Sequence, residues 1–382
     1  MARTALSFRR PAMPRPIAAH INPDALAHNL EVVRRTVAAA GGAPRVWAVI
    51  KANAYGHGIE RVLPGLHRAD GLAMLDLDEA IRCREVGWVG PILMLEGFFE
   101  TADIAWYERY HLTGVLHHDD QLRMLRDASG RHPIDVYLKL NSGMNRLGFA
   151  PGRYRMAYER AQELQRRGVL GTIGHMSHFA SGDHADRVAA VVALFERATE
   201  EMSGPRSLCN SAACLGSPLQ AARTDWLRPG ICLYGATPFE YLPSAAGLGL
   251  RPAMRLSSTI IAEQQVQPGV GVGYGAAFVA ERPMRIGIVA CGYADGYPRQ
   301  ASSGTPVAVA GQRSRLLGRV SMDMLAVDLT DMPQAGVGSP VTLWGADGVS
   351  VDDVAQAAGT IGYELLTRLT SRVPVSVGAW ES

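Results

Sequence analysis

Eight short apolar stretches recur between positions 45 and 234, at 45–51, 72–76, 91–95, 112–116, 134–140, 169–178, 206–210 and 227–234. Between them lie segments whose apolar residues return at helical spacing, most clearly at 77–87, 119–127, 152–167 and 184–202. Alternating strand and helix patterns call for a parallel sheet covered by helices, and eight repeats predict a closed (β/α)8 barrel over an open sheet. A further helix is predicted at 22–40, where Asn22 and Pro23 form a cap and first turn ahead of Leu26, Leu30, Val33 and Val37. It leads into the first strand.

The pattern breaks in a proline- and glycine-rich link at 236–252, and β-type runs follow at 254–266, 284–291, 306–310, 324–329 and 340–344. These predict a mainly β second domain. Helices are expected within it near 350–358, where Ser350 and Asp353 have capping-box spacing with Asp in place of Glu, and at 361–368. The domain plan is a flexible extension at 1–15, a barrel at 16–245 and a mainly β domain at 246–382. With 47% hydrophobic residues, 382 positions suffice for two cores. A net charge of +2 with 19% charged residues gives no reason to expect nucleic acid or a membrane surface as partner. The five cysteines are scattered, without CxxC or Cys/His metal spacing, so they are read as reduced core residues and no metal is expected. The basic N-terminus lacks the apolar core of a signal peptide, which predicts a cytoplasmic protein.

In such barrels chemistry gathers at the C-terminal ends of strands. Lys51 stands at the end of the first, followed by Ala52, Ala54, Gly56 and Gly58, which leave room for a planar ligand, and by Tyr55 and His57. A buried amine has a lowered pKa and suits attack on an aldehyde; the alternative is a lysine that snorkels to water. Lys139 and Arg146 follow the fifth strand, where they are either functional or a solvated lysine and an ion-paired helix residue. His175 and His178 lie three apart on the sixth strand, so they point to opposite faces and do not share a metal. Asn210 and Ser211 after the seventh strand read equally as a helix cap or as anion donors, and Gly230 in the eighth would let backbone N–H groups approach an anion.

The stretch 48–58 closely resembles the pyridoxal-phosphate lysine motif of the alanine racemases, and the similarity extends from about Pro16 to the end of the chain. The resemblance implies that Lys51 carries pyridoxal 5'-phosphate, that Tyr55, Ser211, Gly230, Ile231 and Tyr363 meet its phosphate, and that Asn210 lies in the same site. It implies that His178 stacks on the cofactor, that His175 is structural, and that Arg228 faces the pyridine nitrogen. Arginine does not accept a proton, so that nitrogen stays neutral and little carbanion charge flows into the ring. Arg146 would meet the substrate carboxylate and Lys139 would be carbamylated to hold it, although Asn141 and Ser142 stand where many members have Asp and Thr. In the second domain Tyr274 matches a catalytic base that reaches the partner subunit's barrel in a homodimer, Tyr293 the entrance and Met322 a backbone donor to the carboxylate.

The activity so implied interconverts L-alanine and D-alanine with two bases, Lys51 acting on the D-enantiomer and Tyr274 on the L-enantiomer. It would supply D-alanine for peptidoglycan or serve alanine catabolism. A tyrosine acting as a base needs positive charge nearby, and His178 beside Arg228 is the candidate source. Other readings are a broad-specificity amino-acid racemase, a decarboxylase, which would pair the ring nitrogen with a carboxylate, and a non-catalytic cofactor carrier, which would be a lone barrel.

Overall fold

The computed structural model describes residues 15–127, 132–240 and 243–380. They divide into two compact units, 22–253 and the remainder, so the four residues of β1 (Ala18–Ile21) join the second unit and not the barrel in which they were expected.

The first unit is a parallel barrel of β2 (Arg45–Val49), β3 (Gly71–Met74), β4 (Ile92–Met94), β5 (Leu112–Leu116), β6 (Ile134–Lys139), β7 (Leu170–Met176), β8 (Arg206–Ser207) and β9 (Trp226–Leu227). Their spatial order is β8-β7-β6-β5-β4-β3-β2-β9. The ring closes where the Asp225 N–H donates to Arg206 O at 3.0 Å and the Arg228 N–H to Cys209 O at 2.8 Å. The eighth strand is far shorter than the expected 227–234, because Pro229 has no N–H to give a ladder and Ile231–Tyr234 winds into a 3₁₀ turn. The strands are buried almost throughout, as a barrel filled by its own side chains and covered by helices requires. Helices Pro23–Ala39, Leu77–Glu85, Asp119–Asp127, Pro151–Arg166 and Ala185–Ala198 follow the predicted pattern. Asn22 caps the first of them by accepting the Asp24 N–H at 3.0 Å.

The second unit continues with the long β10 (Met254–Val266), the hairpin of β11 (Gly271–Val272) and β12 (Phe278–Val279), β13 (Met284–Val289), β14 (Pro306–Val309), β15 (Gln312–Leu317), β16 (Leu325–Asp328), β17 (Pro340–Trp344) and β18 (Val375–Val377). Its sheet runs β13-β16-β15-β14-β17-β10-β1-β18, and β10 also pairs with β13, so the sheet returns upon itself. The ladder shift at Ile260/Ala262 lets one strand serve both neighbours. The capping box forms as read: Ser350 Oγ accepts the Asp353 N–H at 3.0 Å and the Asp353 carboxylate accepts the Ser350 N–H at 3.2 Å. Arg15, expected in a flexible extension, instead pairs with Asp295 and Asp323, each at 3.2 Å; positions 1–14 lie outside the described residues. All five cysteines are buried and unpaired. No helix among the described residues is long and apolar enough to cross a membrane.

Candidate active site

Lys51 follows the buried end of β2, and the backbone after it turns the unusual way. Ala52, Asn53, Ala54 and Tyr55 all have positive φ, at 55°, 51°, 56° and 51°, so a single left-handed turn carries four non-glycine residues. Such a turn costs about 1–2 kcal/mol per residue for L-amino acids. It persists because its polar groups are tied from several sides. The Ala54 N–H donates to Ile50 O at 2.8 Å, the Glu79 carboxylate accepts the Asn53 N–H, and Asn53 Oδ1 accepts from the Ile59 N–H at 3.3 Å and from Arg82 at 3.1 Å. Burial, and after it the charge of Arg146, lowers the Lys51 pKa, while Glu96 opposes them. The amine is thereby shifted toward its neutral, nucleophilic form.

Across the barrel mouth, the buried Tyr55 ring stacks on Tyr234 at 4.5 Å, and the Tyr234 hydroxyl donates to Val49 O at 3.0 Å. A Cβ at Gly230 would strike the Tyr55 hydroxyl. The Gly230 N–H donates to Ser211 Oγ at 2.8 Å and the Cys232 N–H to the same oxygen at 3.5 Å. Tyr55, Ser211 and Gly230 thus bring hydroxyls and a backbone donor to one point, beside Ile231 at the start of the 3₁₀ turn. Asn210 takes the capping reading. Its side chain accepts the Ala213 N–H at 3.1 Å and donates to Phe179 O at 3.1 Å, which fixes the turn that presents Ser211.

Arg228 is buried, and its donors go to Ser207 Oγ (2.5 Å), Ser177 O (2.6 Å), Leu208 O (3.1 Å) and His178 Nδ1 (3.4 Å). All four acceptors are neutral, so the cation has no carboxylate partner among them. Burial pushes its pKa down to about 10, which still leaves it charged at neutral pH. His178 lies beyond the last residue of β7, and burial together with Arg228 holds its pKa well below the usual range. Burial and Arg228 thus favour the neutral ring, and the positive charge beside it is that of Arg228. His175 is fully buried between the Tyr154 hydroxyl and Ser203 O, each at 3.0 Å, as its structural reading required.

Burial, then Arg228 and Arg146, pushes the Lys139 pKa down to about 8. Arg146 is exposed on the loop after β6, which Asn141 shapes by accepting the N–H groups of Gly143 (3.2 Å) and Asn145 (3.1 Å). The Ser142 hydroxyl meets that of Ser177 at 2.6 Å. Lys139, Asn141, Ser142, Arg146, Ser177 and His178 line one cavity. Sequence reasoning missed Glu96, which acts on both Lys51 and Lys139; its place just after β4 is the signal that could have found it. It also missed Tyr234 behind Tyr55.

In the second unit, Tyr274 opens a 3₁₀ turn inside the β11–β12 hairpin and is 72% exposed. Tyr293 lies in the turn Tyr293–Asp295, whose N–H groups at Tyr293 and Ala294 donate to Ser321 O at 3.1 Å and Met322 O at 3.0 Å. The loops bearing Tyr293 and Met322 are therefore joined. Asp295 stiffens them by accepting the Gly292 N–H at 3.0 Å while pairing with Arg15 and Arg372. Tyr363 is half-buried in the helix Gly362–Thr367.

The N-terminal domain family of alanine racemase matches residues 21–238 and the C-terminal domain family matches 253–377. The chain is 59% identical to an alanine racemase from Bordetella petrii, over 95% of this chain and 99% of that one. It is 56% identical to one from Cupriavidus necator, over 96% of each. The crystal structure of a biosynthetic alanine racemase from Pseudomonas aeruginosa superposes with a TM-score of 0.89 at 46% identity, covering 96% of this chain and 100% of that one.

Proposed function

The chain belongs to the alanine racemase family and is an isomerase; on that premise we propose that it interconverts L-alanine and D-alanine with pyridoxal 5'-phosphate as cofactor. The observation that carries this reading is the meeting of Tyr55, Ser211 and Gly230 at one end of the barrel whose mouth also holds a lysine of lowered pKa. The missing Cβ of Gly230 and the hydroxyl cluster fit a phosphate, and the lysine fits the aldehyde. Lys51 would hold the cofactor, with Tyr55, Ser211, Gly230, Ile231 and Tyr363 on the phosphate. Asn210 supports Ser211, and His178 and Arg228 would hold the ring. When bound, the cofactor supplies an electron-withdrawing ring that makes the substrate Cα–H acidic.

The remaining work falls to side chains of this protein. Arg146 and the Met322 N–H receive the substrate carboxylate, and Tyr293 lines the way in. Lys51, once free, takes or returns the Cα proton on the D face, and Tyr274 of a partner subunit does so on the L face. Two bases are needed because one fixed group cannot easily serve both faces. Arg228, charged and unable to accept a proton, would offer the cofactor's ring nitrogen a hydrogen-bond donor and no proton acceptor. Lys139, lowered to about 8, has a large neutral fraction at physiological pH and is the amine suited to carbamylation beside Arg146. The enzyme so read is a cytoplasmic homodimer.

A chiral assay of the purified protein against a panel of L-amino acids tests the proposal. Alanine should be racemised well above the others. Comparable rates on bulky or basic amino acids would favour the broad-specificity alternative, and no racemisation of any would reject both.

A further inference from the structure

The left-handed turn after Lys51 needs a reason to stay left-handed, and His57 supplies one. Its ring is fully buried just beyond the turn, tilted against Tyr234 with centroids 4.7 Å apart. Nδ1 stands 3.1 Å from Ala54 O and 2.9 Å from Tyr55 O. Carbonyls only accept, so Nδ1 must carry the hydrogen and is shared between two successive carbonyls of the turn. Burial pushes the His57 pKa down to about 4, so the ring is neutral and Nε2 is a bare acceptor. That Nε2 is buried with no hydrogen-bond partner among the described residues. A side chain present only to fill space, such as Leu or Phe, would leave no buried nitrogen unpaired, so the contacts at Nδ1 must offset that cost.

We propose that His57 is a positioning residue whose Nδ1–H, donating to the carbonyls of Ala54 and Tyr55, holds the left-handed turn that sets Lys51 and Tyr55. The inference rests on the reading that these two residues hold the cofactor. Ala52 to Tyr55 would otherwise relax toward right-handed backbone, which would turn the Tyr55 ring off Tyr234 and let the Lys51 amine swing toward water. His57 touches neither substrate nor cofactor in this account; it acts through the backbone.

The test compares His57→Asn, His57→Gln and His57→Leu as apoproteins titrated with pyridoxal 5'-phosphate, with borohydride fixation and peptide mapping to locate the bond. Asn offers an amide N–H near the place of Nδ1–H, Gln offers it one atom farther out, and Leu offers none. His57→Leu should weaken cofactor binding by about tenfold or more, and His57→Asn should restore it to within about threefold. The pH at half-maximal capture should rise in His57→Leu, because a Lys51 amine freed from burial and from Arg146 returns toward the ordinary lysine range. Lys139 and Glu96 also face that amine, and both are unchanged in the variants. A residue with a merely structural role would lower affinity evenly at all pH values. Native-like binding by His57→Leu overturns the proposal, as does His57→Asn performing no better than His57→Leu. If the Leu variant does not fold, equal loss in the Asn and Gln variants overturns it. Labelling of a lysine other than Lys51 in the unaltered protein defeats the cofactor reading itself, a separate outcome.

Discussion

Two segments proposed to carry the proton-transferring groups use left-handed backbone, and they use it differently. Around Lys51 it is imposed on Ala52, Asn53, Ala54 and Tyr55, whereas around Tyr274 it falls mainly on Gly273 and Gly275, at φ 69° and 68°. Glycine adopts that conformation without steric cost; the other four residues do not. The lysine is half-buried and its pKa is set by burial, Arg146 and Glu96, all within its own unit. The tyrosine stands largely exposed in its unit. The first proposed base is fixed in advance by strain and burial, while the second stands on a support whose positive φ falls mainly on glycine; a site shared between subunits, as proposed, would supply its surroundings.

The largest effect comes from removing either base. Lys51→Ala and Tyr274→Phe should each lower kcat by about 10²–10⁴-fold. Mixed under subunit exchange, the two variants should recover up to about half the activity per heterodimer, because one of its two sites is then intact. Exchanging mixtures that stay as inactive as their parents would place both bases on one chain and erase the contrast drawn above.

Next comes Arg228, which tests whether the presetting of the barrel extends to charge. Arg228→Glu gives the ring nitrogen a group that stabilises a proton, so racemisation should slow by about 10²-fold while transamination of alanine rises. Arg228→Leu removes the cation without offering a proton acceptor, and should slow racemisation with no rise in transamination. Equal transamination in both variants would show that lost packing, not charge, is responsible.

The sequence showed the barrel because its alternation is strict, and it showed Lys51 because the motif around it is long. It hid what depends on distant pairing or on torsion angles. The four residues of β1 look like a lead into the first helix, and their partners on β10 and β18 lie more than two hundred positions away. β15 opens with four polar residues, Gln312 to Arg315, none of them buried, so it offered no apolar run. The eighth strand was overextended because Ile231 to Tyr234 look apolar enough for a ladder, yet Pro229 interrupts it. Only Asn53 among Ala52 to Tyr55 is a usual mark of positive φ, so a left-handed turn four residues long was not legible. The neutral form of His178 was not legible either, because it follows first from the burial of the ring and then from the charge of Arg228.

A smaller effect is a shift in pH dependence. Capture of pyridoxal 5'-phosphate by the apoprotein requires a neutral Lys51, so it rises as pH passes upward through the lysine pKa. Arg146→Gln removes a charge that lowers this pKa and should move the curve to higher pH; Glu96→Gln removes one that raises it and should move the curve to lower pH. The two shifts should be opposite in sign. Shifts of the same sign would mean that the two charges do not act on Lys51 as described.

The smallest effect separates strain from flexibility directly. Ala52 and Gly275 are both exposed and both left-handed, at φ 55° and 68°, so exchanging their residue types changes little besides backbone preference. A Cβ on Gly275 would lie 3.5 Å from the Arg319 guanidinium, an ordinary contact. Gly275→Ala should therefore add about 1 kcal/mol of torsional cost, offset by about 0.5–1 kcal/mol of entropy withdrawn from the unfolded chain, and so be neutral or slightly destabilising. Ala52→Gly relieves torsion of about 1 kcal/mol but gives the unfolded chain about 0.5–1 kcal/mol of extra entropy, so it should be neutral or slightly stabilising. Ala→Gly in an ordinary helix would instead lose about 1 kcal/mol. Melting of the apoproteins reads these signs. In the same Ala52→Gly variant cofactor affinity should fall, since the turn gains freedom next to Lys51, and stability and binding would then move in opposite directions. If Ala52→Gly is destabilised as an ordinary helix would be, the turn holds no strain and the fixed placement of Lys51 needs another cause.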